Sequence, residues 1–431
     1  MKGKFAHISD CHIGAWREPI LRELNDRAFG EAIDISVKNQ VDFVIISGDI
    51  FDVGIPEMSS VRSAVRKLKQ LVDNDIPVYV VYGSHDYSPT TVSVVDVLTS
   101  AGLFANVGEF VQIDEEKEKT KRLGLKPIVD EKTKVLIAGL PARKGGLEKS
   151  FYSELKGGTN LSITAGIYSI FVFHASVNEL QSLNIPVEQN VSIEDLPTGF
   201  SYYAGGHLHK RTSGKLGESP VVYPGPLFGT RYSDLELSAR GEKRGFAMVE
   251  FEDDKTTKLS FVDLEAPRML AKTFSAEGRS SEYLNNEIKN FVSHDTLDVK
   301  NTIVLLKARG VLTSGKPSDI DWFSYKTLLL ERGASVVTIN KMGLLTKEAK
   351  RIELLGASTK EEIESKLLSE HISRFKPPSK DLDPLSSLEG VRKATKLLGA
   401  LKTEKREEET KPTFEKRVWK EGSEILDLGN V

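Results

Sequence analysis

One cysteine, Cys11, is all that 431 residues contain. A lone thiol excludes an internal disulfide framework and fits a reducing cytoplasm. No run approaches the roughly 18 apolar residues that a membrane span needs. The opening MKGKFAHIS leads straight into a strand-like pattern, without the apolar stretch of a signal peptide. Membrane insertion and secretion are therefore not expected. Positive charge is not in excess: 59 Lys and Arg stand against 62 Asp and Glu, a net charge of −3. No global basicity advertises nucleic acid, although local basic patches would still bind it. Internal repeats are absent. A hydrophobic content of 39% supports sizeable cores, and 431 residues predict two or three domains.

What the chain does have is a pattern of histidines. Five of its eight sit in four short motifs: Ser9-Asp10-Cys11-His12, Gly83-Ser84-His85-Asp86, Phe173-His174-Ala175 and Gly206-His207-Leu208-His209. Between the first two motifs lies Ser47-Gly48-Asp49-Ile50-Phe51-Asp52. Each histidine motif follows a run that reads as a strand. Any one of these histidines alone would ordinarily be structural; the ordered set is a strong joint signal. Acids and imidazoles at successive strand ends converge on the carboxyl edge of a sheet, where α/β proteins bind ligands. Imidazole plus carboxylate, without partner thiols, suits Mn, Fe or Zn.

The first part of the chain alternates strand and helix: KFAHIS, an amphipathic run around 21–39, VDFVIIS, a helix around 57–74, then PVYVVY. The runs KVLIAGL, GIYSIFVFHA, FSYYAGG, SPVVYPG and FAMVEFED follow. Short, apolar, β-branched strands are those of a buried sheet. The expectation is an α/β fold: a two-layer β sandwich flanked by helices, over residues 1–266. Residues 114–134 read as a charged surface excursion. From 267 to 345 a small α+β domain is expected, with helices near 281–293 and 318–332. Residues 346–385, containing KPPSKDLDP, read as a linker with some helix near 359–372. The segment 386–431 then carries two apolar stripes near helical spacing, separated by KREEETKP. One is Leu388, Val391, Leu398 and Leu401; the other is Phe414, Val418, Ile425 and Leu428, weakened by Gly422. Such stripes pack on the chain's own core or dock on a partner, and the long polar linker before them favours docking.

The spacing at each strand end has chemical content. Asp10 and His12 are two residues apart and share a side of an extended segment, while Cys11 points away as filler. Asp49 follows Gly48, which permits a tight turn, and is the candidate carboxylate to touch two ions. His174 ends a long apolar strand. His207 and His209 repeat the two-residue spacing, with Gly205-Gly206 leaving room. Two ions roughly 3.5–4 Å apart would supply a hydroxide for in-line attack on phosphorus. His85, oriented by Asp86, is placed outside the ligand set to stabilise the reacting phosphorus or protonate the leaving oxygen. His7 lies inside a strand, in the core or behind the ligands. His294 and His371 receive no role.

In order and spacing these motifs resemble the calcineurin-like metallophosphoesterases. Within them the chain resembles the SbcD-type, or meiotic recombination eleven, family of DNA double-strand-break nucleases, of the archaeal kind. HISDCHIG, GDIFDVGIPE and DLPTGFSYYAGGHLHKR followed by SPVVYPGPL carry the resemblance, which covers roughly residues 1–265. By position, 267–345 matches the family's DNA-binding capping domain. Residues 386–431, with FEKRVWKEG, match its helix–loop–helix that grips a partner. The resemblance implies two Mn2+ ions per subunit, with Mg2+ or another divalent ion as substitute. It assigns one ion to Asp10, His12, Asp49 and His209. The other goes to Asp49, position 84, His174 and His207, with His85 on the phosphate. It further implies 3'-5' exonuclease and endonuclease action on DNA double-strand ends and hairpins. The implied partner is an SbcC/Rad-fifty-type coiled-coil ATPase, and the implied setting is cytoplasmic, on the nucleoid in a prokaryote. A homodimer is implied through helices near 57–74 and 91–100. There Val61, Val65, Leu68 and Val72 form one stripe, and Val92, Val95 and Leu98 another; packing of these stripes on the sheet is the alternative.

Two positions depart from the family. Ser84 stands where Asn is usual, and a shorter hydroxyl holds the second ion weakly or through water. Asp52 stands where relatives often carry His, and is either next to the ligands or a turn residue. Two other functions stay open: a phosphatase or phosphodiesterase of another substrate class, and a catalytically weak scaffold that tethers DNA ends, which Ser84 would suit.

Overall fold

The apolar run Lys2–Ile8 (β1) lies parallel to Phe43–Ser47 (β2), which lies parallel to Val78–Val81 (β3). The register pairs Ile8 with Ile46 and Ser47 with Val81, so three strands end at one edge. Ala105–Asn106 (β4) continues the sheet beyond β3, and two antiparallel strands, Gly245–Glu252 (β13) and Lys255–Asp263 (β14), complete it on the β1 side. A second six-stranded sheet comprises Ile128–Val129 (β7), Leu136–Leu140 (β8), Ser169–His174 (β9), Tyr202–Gly206 (β10), Thr212–Leu216 (β11) and Ser219–Tyr223 (β12). Its order is β11-β12-β10-β9-β8-β7. Phe110–Glu115 (β5) and Thr120–Leu125 (β6) form a separate hairpin that begins before the expected excursion at 114–134 and overlaps it. The computed structural model describes residues 2–88, 92–115, 120–143, 148–153, 155, 166–181, 190–347, 368, 372, 388–403 and 409–426.

The sheets pack face to face. Phe5, Phe43, Ile45 and Val81 of the first meet Ile137, Ile170, Val172, Tyr202 and Val222 of the second in one buried cluster. The outer face of the first sheet is covered by Pro19–Lys38 (α1), Met58–Val72 (α2) and Val94–Ser100 (α3). In α1, Leu21, Asn25, Ala28, Phe29, Ala32, Ile33 and Ser36 are buried, the three-and-four spacing of one helical face, and proline begins the helix where no N–H is needed. The remaining helices are Glu148–Ser153 (α4), Tyr232–Ala239 (α5), Ser281–Ser293 (α6), Trp322–Glu331 (α7), Leu388–Leu401 (α8) and Lys411–Ile425 (α9).

The chain forms two compact units. One comprises Met1–Phe274, Ile288–Lys307 and Asp321–Asn340; the other comprises Ser275–Glu287, Ala308–Ile320 and Lys341–Val431. In the first, the start of Ile303–Leu312 (β16) pairs in parallel with Val336–Asn340 (β17), beside Met269–Ser275 (β15). In the second, the end of β16 pairs with Leu344–Thr346 (β18). Also in the second, α8 and α9 pack on each other: Val391, Leu398, Phe414, Val418 and Ile425 are half-buried, and an added Cβ on Gly422 would meet Leu397 at 3.5 Å. The helix near 359–372, most of the 346–385 linker, the side chain of Leu388, and Leu428 lie outside the described residues.

The stripes assigned to a dimer face are corrected by the packing. Leu68, Val95 and Leu98 are buried in the core under the first sheet, and Val61 and Val65 pack against it. An amphipathic stripe marks a buried face without saying what buries it. Of the two stripes, Val72 and Val92 stay exposed, beside the exposed apolar residues Val53, Ile55, Met58 and Val97.

Candidate metal centre

Because β1, β2 and β3 end in register, the loops at 9–13, 47–52 and 83–86 share one edge. Pairing of Gly206 with His174 brings the ends of β9 and β10 to the same place. Backbone bonds fix the first two loops together: Asp10 donates to the Gly48 carbonyl at 3.2 Å and His12 to that of Asp49 at 2.9 Å. Asn25 on α1 donates its amide to the carbonyls of Cys11 and His12. Asp10, His12, Asp49 and His207 all hold positive φ, at 50°, 42°, 49° and 93°. Such strained backbone concentrates at functional sites. Two glycines permit the approach. A Cβ on Gly206 would lie 1.8 Å from the Ser47 carbonyl oxygen, and one on Gly83 would lie 2.1 Å from the Asp49 nitrogen. Cys11 turns into the core, where burial pushes its thiol well above the usual range.

The side chains form adjoining groups. Asp10, His12 and His209 offer ligand atoms within 4.8 Å of one another, as do Asp49, His174 and His207. Asp49 joins them: its Oδ2 lies 3.2 Å from Nε2 of His174 and 3.6 Å from Nε2 of His12. Its Oδ1 accepts the His85 N–H at 2.8 Å. Nε2 of His12 and Nε2 of His209 face each other at 3.3 Å, and so do Nε2 of His174 and Nδ1 of His207. Nδ1 of His174 donates to the Ser47 carbonyl, which turns its Nε2 inward toward Asp49. Paired imidazole nitrogens so close need a proton or a cation between them. Oδ2 of Asp10 is buried without a hydrogen-bond partner among the described residues, while its Oδ1 accepts from the His207 N–H. These donors suit divalent metal ions.

Electrostatics follow from burial and proximity. Burial opposes charge on His174, but the Asp49 carboxylate outweighs it and raises the imidazole to about 10. Asp49, despite burial, is held well below the usual carboxylate range by His174 and His12. Burial, then the charge on His174, pushes His207 down to about 4, although the residue as a whole is exposed. His7 is a core residue: burial lowers it to about 3, and its ring is bonded to the hydroxyls of Tyr202 and Ser47.

His85 lies edge-on to His12, ring centroids 4.8 Å apart, and its Nδ1 donates to the Asp52 carbonyl oxygen at 2.6 Å. The expectation that Asp86 orients His85 is corrected here. The Asp86 carboxylate is buried and accepts the backbone N–H groups of Gly83, Ile50 and Phe51, fixing two loops together. Burial, then Asp49, raises it to about 6. The Asp52 carboxylate approaches Nδ1 of His12 at 3.2 Å, without hydrogen-bond alignment. Ser84 is half-buried between Gly83 and His85, and its hydroxyl makes no hydrogen bond to another described residue. The ring of His294 bonds locally, through Nδ1 to Thr296, and His371 lies outside the described residues.

Two residues near the cluster escape a reading of the motifs. Asp234, in the first turn of α5, accepts from Nδ1 of His209 at 2.9 Å. Buried Arg244 donates to the carbonyls of both His209 and Asp234. The signal for Asp234 was weak: an acid in the first turn of a helix reads as a cap. A groove of about 910 Å³ between α1 and α2 is lined by no histidine, and two ion pairs cross it, Arg22 with Glu57 and Lys67 with Asp34.

Residues 3–211 match the family model described as calcineurin-like phosphoesterase. With this fold and this edge cluster, the chain carries a calcineurin-like metallophosphoesterase domain. Among curated proteins it is similar to the DNA double-strand break repair protein Mre11 of Archaeoglobus fulgidus, at 28% identity over 61% of this chain and 61% of that one. The Mre11 of Thermoplasma acidophilum is 32% identical over 49% of this chain and 53% of its own. That of Sulfurisphaera tokodaii is 26% identical over 79% of this chain and 84% of its own. The chain thus spans between about half and three-fifths of the first two relatives' length. Among the described residues, no helix is long and apolar enough to cross a membrane.

Proposed function

We propose that this chain is a metal-dependent DNA nuclease that processes double-strand breaks. The observation that carries the reading is the position of Asp49 Oδ2, within 3.6 Å of imidazole nitrogens from both ligand groups. One buried oxygen shared between two donor sets is the arrangement of a two-ion centre. Asp10, His12, Asp49 and His209 would hold one ion; Asp49, His174, His207 and Ser84 the other, with Mn2+ the expected metal. Bound ions would supply an activated water and a clamp for the phosphodiester. The chain's own contribution is positioning. The Asp52 carbonyl fixes the Nδ1–H tautomer of His85, so Nε2 is free to meet the scissile phosphate or the leaving oxygen. Positive-φ backbone at Asp10, His12 and Asp49 aims three donors from two short loops.

DNA as substrate is supported by the relatives, each named as a double-strand break repair protein. Both exonuclease and endonuclease action are included in the reading. We take 267–345 as a DNA-binding cap; Phe323 on α7 is 82% exposed and available for stacking. We take 386–431 as the grip on a coiled-coil ATPase, supported by Trp419 at 70% and Leu401 at 61% exposure. Truncation before Leu388 should lose co-elution with that ATPase and keep metal-dependent cutting.

The deciding experiment compares Mn2+-dependent cleavage of blunt-ended and hairpin DNA with that of p-nitrophenyl phosphate esters, with EDTA as control. Cleavage of DNA is expected. Turnover of the small esters alone would establish a phosphoesterase of another class.

A further inference from the structure

We propose that Asp234 is a positioning residue for metal binding: its carboxylate fixes His209 as the Nδ1–H tautomer, so that Nε2 faces Asp10 and His12 as a lone pair. The inference rests on the metal-centre reading above. Oδ2 of Asp234 accepts from Nδ1 of His209 at 2.9 Å. The same oxygen accepts the N–H groups of Thr230 and Arg231, each at 3.1 Å, and the Thr230 hydroxyl at 3.2 Å. A carboxylate anchored by three other donors does not swing away from the ring. Arg244 braces the pair, with one arm on the His209 carbonyl and the other on the Asp234 carbonyl at 3.0 Å. A single planar guanidinium therefore ties the main chain of the imidazole to the main chain of its acceptor. A lysine has no such fork.

Helix capping alone does not account for the contact. Capping α5 needs only the bonds to Thr230 and Arg231, whereas His209 lies 25 residues earlier on another segment. The other inward imidazoles are held differently. His174 is backed by a neutral carbonyl, and His12 by a carboxylate that is a third exposed and misaligned. His209 is the imidazole backed by a buried, multiply anchored anion. An anion behind the ring fixes its tautomer and its orientation toward a metal. The ion touching His209 should therefore depend on Asp234, and the ion between His174 and His207 should not.

The test is Mn2+ binding to the full chain by isothermal titration calorimetry, wild type against Asp234→Ala and Asp234→Asn. In Asp234→Ala, one of two binding events should weaken about 10–100-fold and the other should be unchanged. Asp234→Asn keeps an acceptor oxygen without its charge and should fall between. Unchanged affinity for both ions in Asp234→Ala overturns the inference alone, as does an equal loss of both. A wild-type chain that binds no Mn2+ overturns the metal-centre reading and the inference with it. Long-range 1H–15N correlation on the wild type, at pH 8 without metal, does not depend on a variant that folds. It should report Nδ1–H for the ring assigned to His209 by its absence in His209→Gln; an Nε2–H ring overturns the inference.

Discussion

Asp49 and His174 hold each other across 3.2 Å in a buried pair, and each sets the other's protonation. Asp49 outweighs the burial that disfavours charge on His174 and lifts it to about 10. A proton therefore occupies Nε2 where a metal ion would bind.

Metal uptake should release that proton. His174 is protonated in the metal-free chain up to about pH 10, so proton competition weakens metal binding at neutral pH and fades as pH rises toward that value. Apparent Mn2+ affinity should climb between pH 7 and 9, by up to about tenfold per unit. Calorimetry in buffers of different ionisation enthalpy should count close to one proton released. No release would remove His174 from the ligand set.

Asp49→Ala should lose metal-dependent hydrolysis while the far-ultraviolet circular dichroism is kept. The residue lies on a loop beyond β2, so the strand pairing survives its loss. Retained cleavage by this variant would count against Asp49 as the shared carboxylate.

His85→Leu should bind Mn2+ as the wild type does and cut about 10²–10⁴-fold more slowly. Its Nδ1 is engaged by the Asp52 carbonyl rather than by the two donor groups. A collapse of metal content would make it a ligand instead.

Ser84→Asn should lower the Mn2+ concentration for half-maximal cutting, by about 10–100-fold if a direct ligand is restored. The serine hydroxyl is shorter than an amide arm and has no hydrogen-bond partner among the described residues. An unchanged or higher requirement would show that serine serves the second ion adequately.

A homodimer would most economically cover the exposed apolar residues Val53, Ile55, Met58, Val92 and Val97. Light scattering at micromolar concentration should give twice the chain mass, and Ile55→Glu with Val97→Glu should halve it. A wild-type monomer would leave this surface for another partner.

Much of the centre was legible in the chain itself. Asp10, His12, Asp49, His174, His207 and His209 each end or follow a strand-like run, and the carboxyl ends of parallel strands share an edge. Cys11 is buried as expected, but not through strand alternation, because Asp10 and His12 hold left-handed backbone beyond the end of β1. The α/β sandwich was equally readable, since short β-branched runs punctuated by glycine have few other uses. Adjacency in sequence misled at Asp86, which stands beside His85 but turns its carboxylate to three backbone N–H groups. Apolar spacing misled at Leu68, Val95 and Leu98, because a stripe does not name what covers it. Only the tertiary structure set the protonation of Asp49 and His174, residues 125 apart in sequence and joined by the packing of two sheets. Only it brought Asp234 behind His209, because that contact depends on where α5 begins relative to β10, a distance no local pattern encodes.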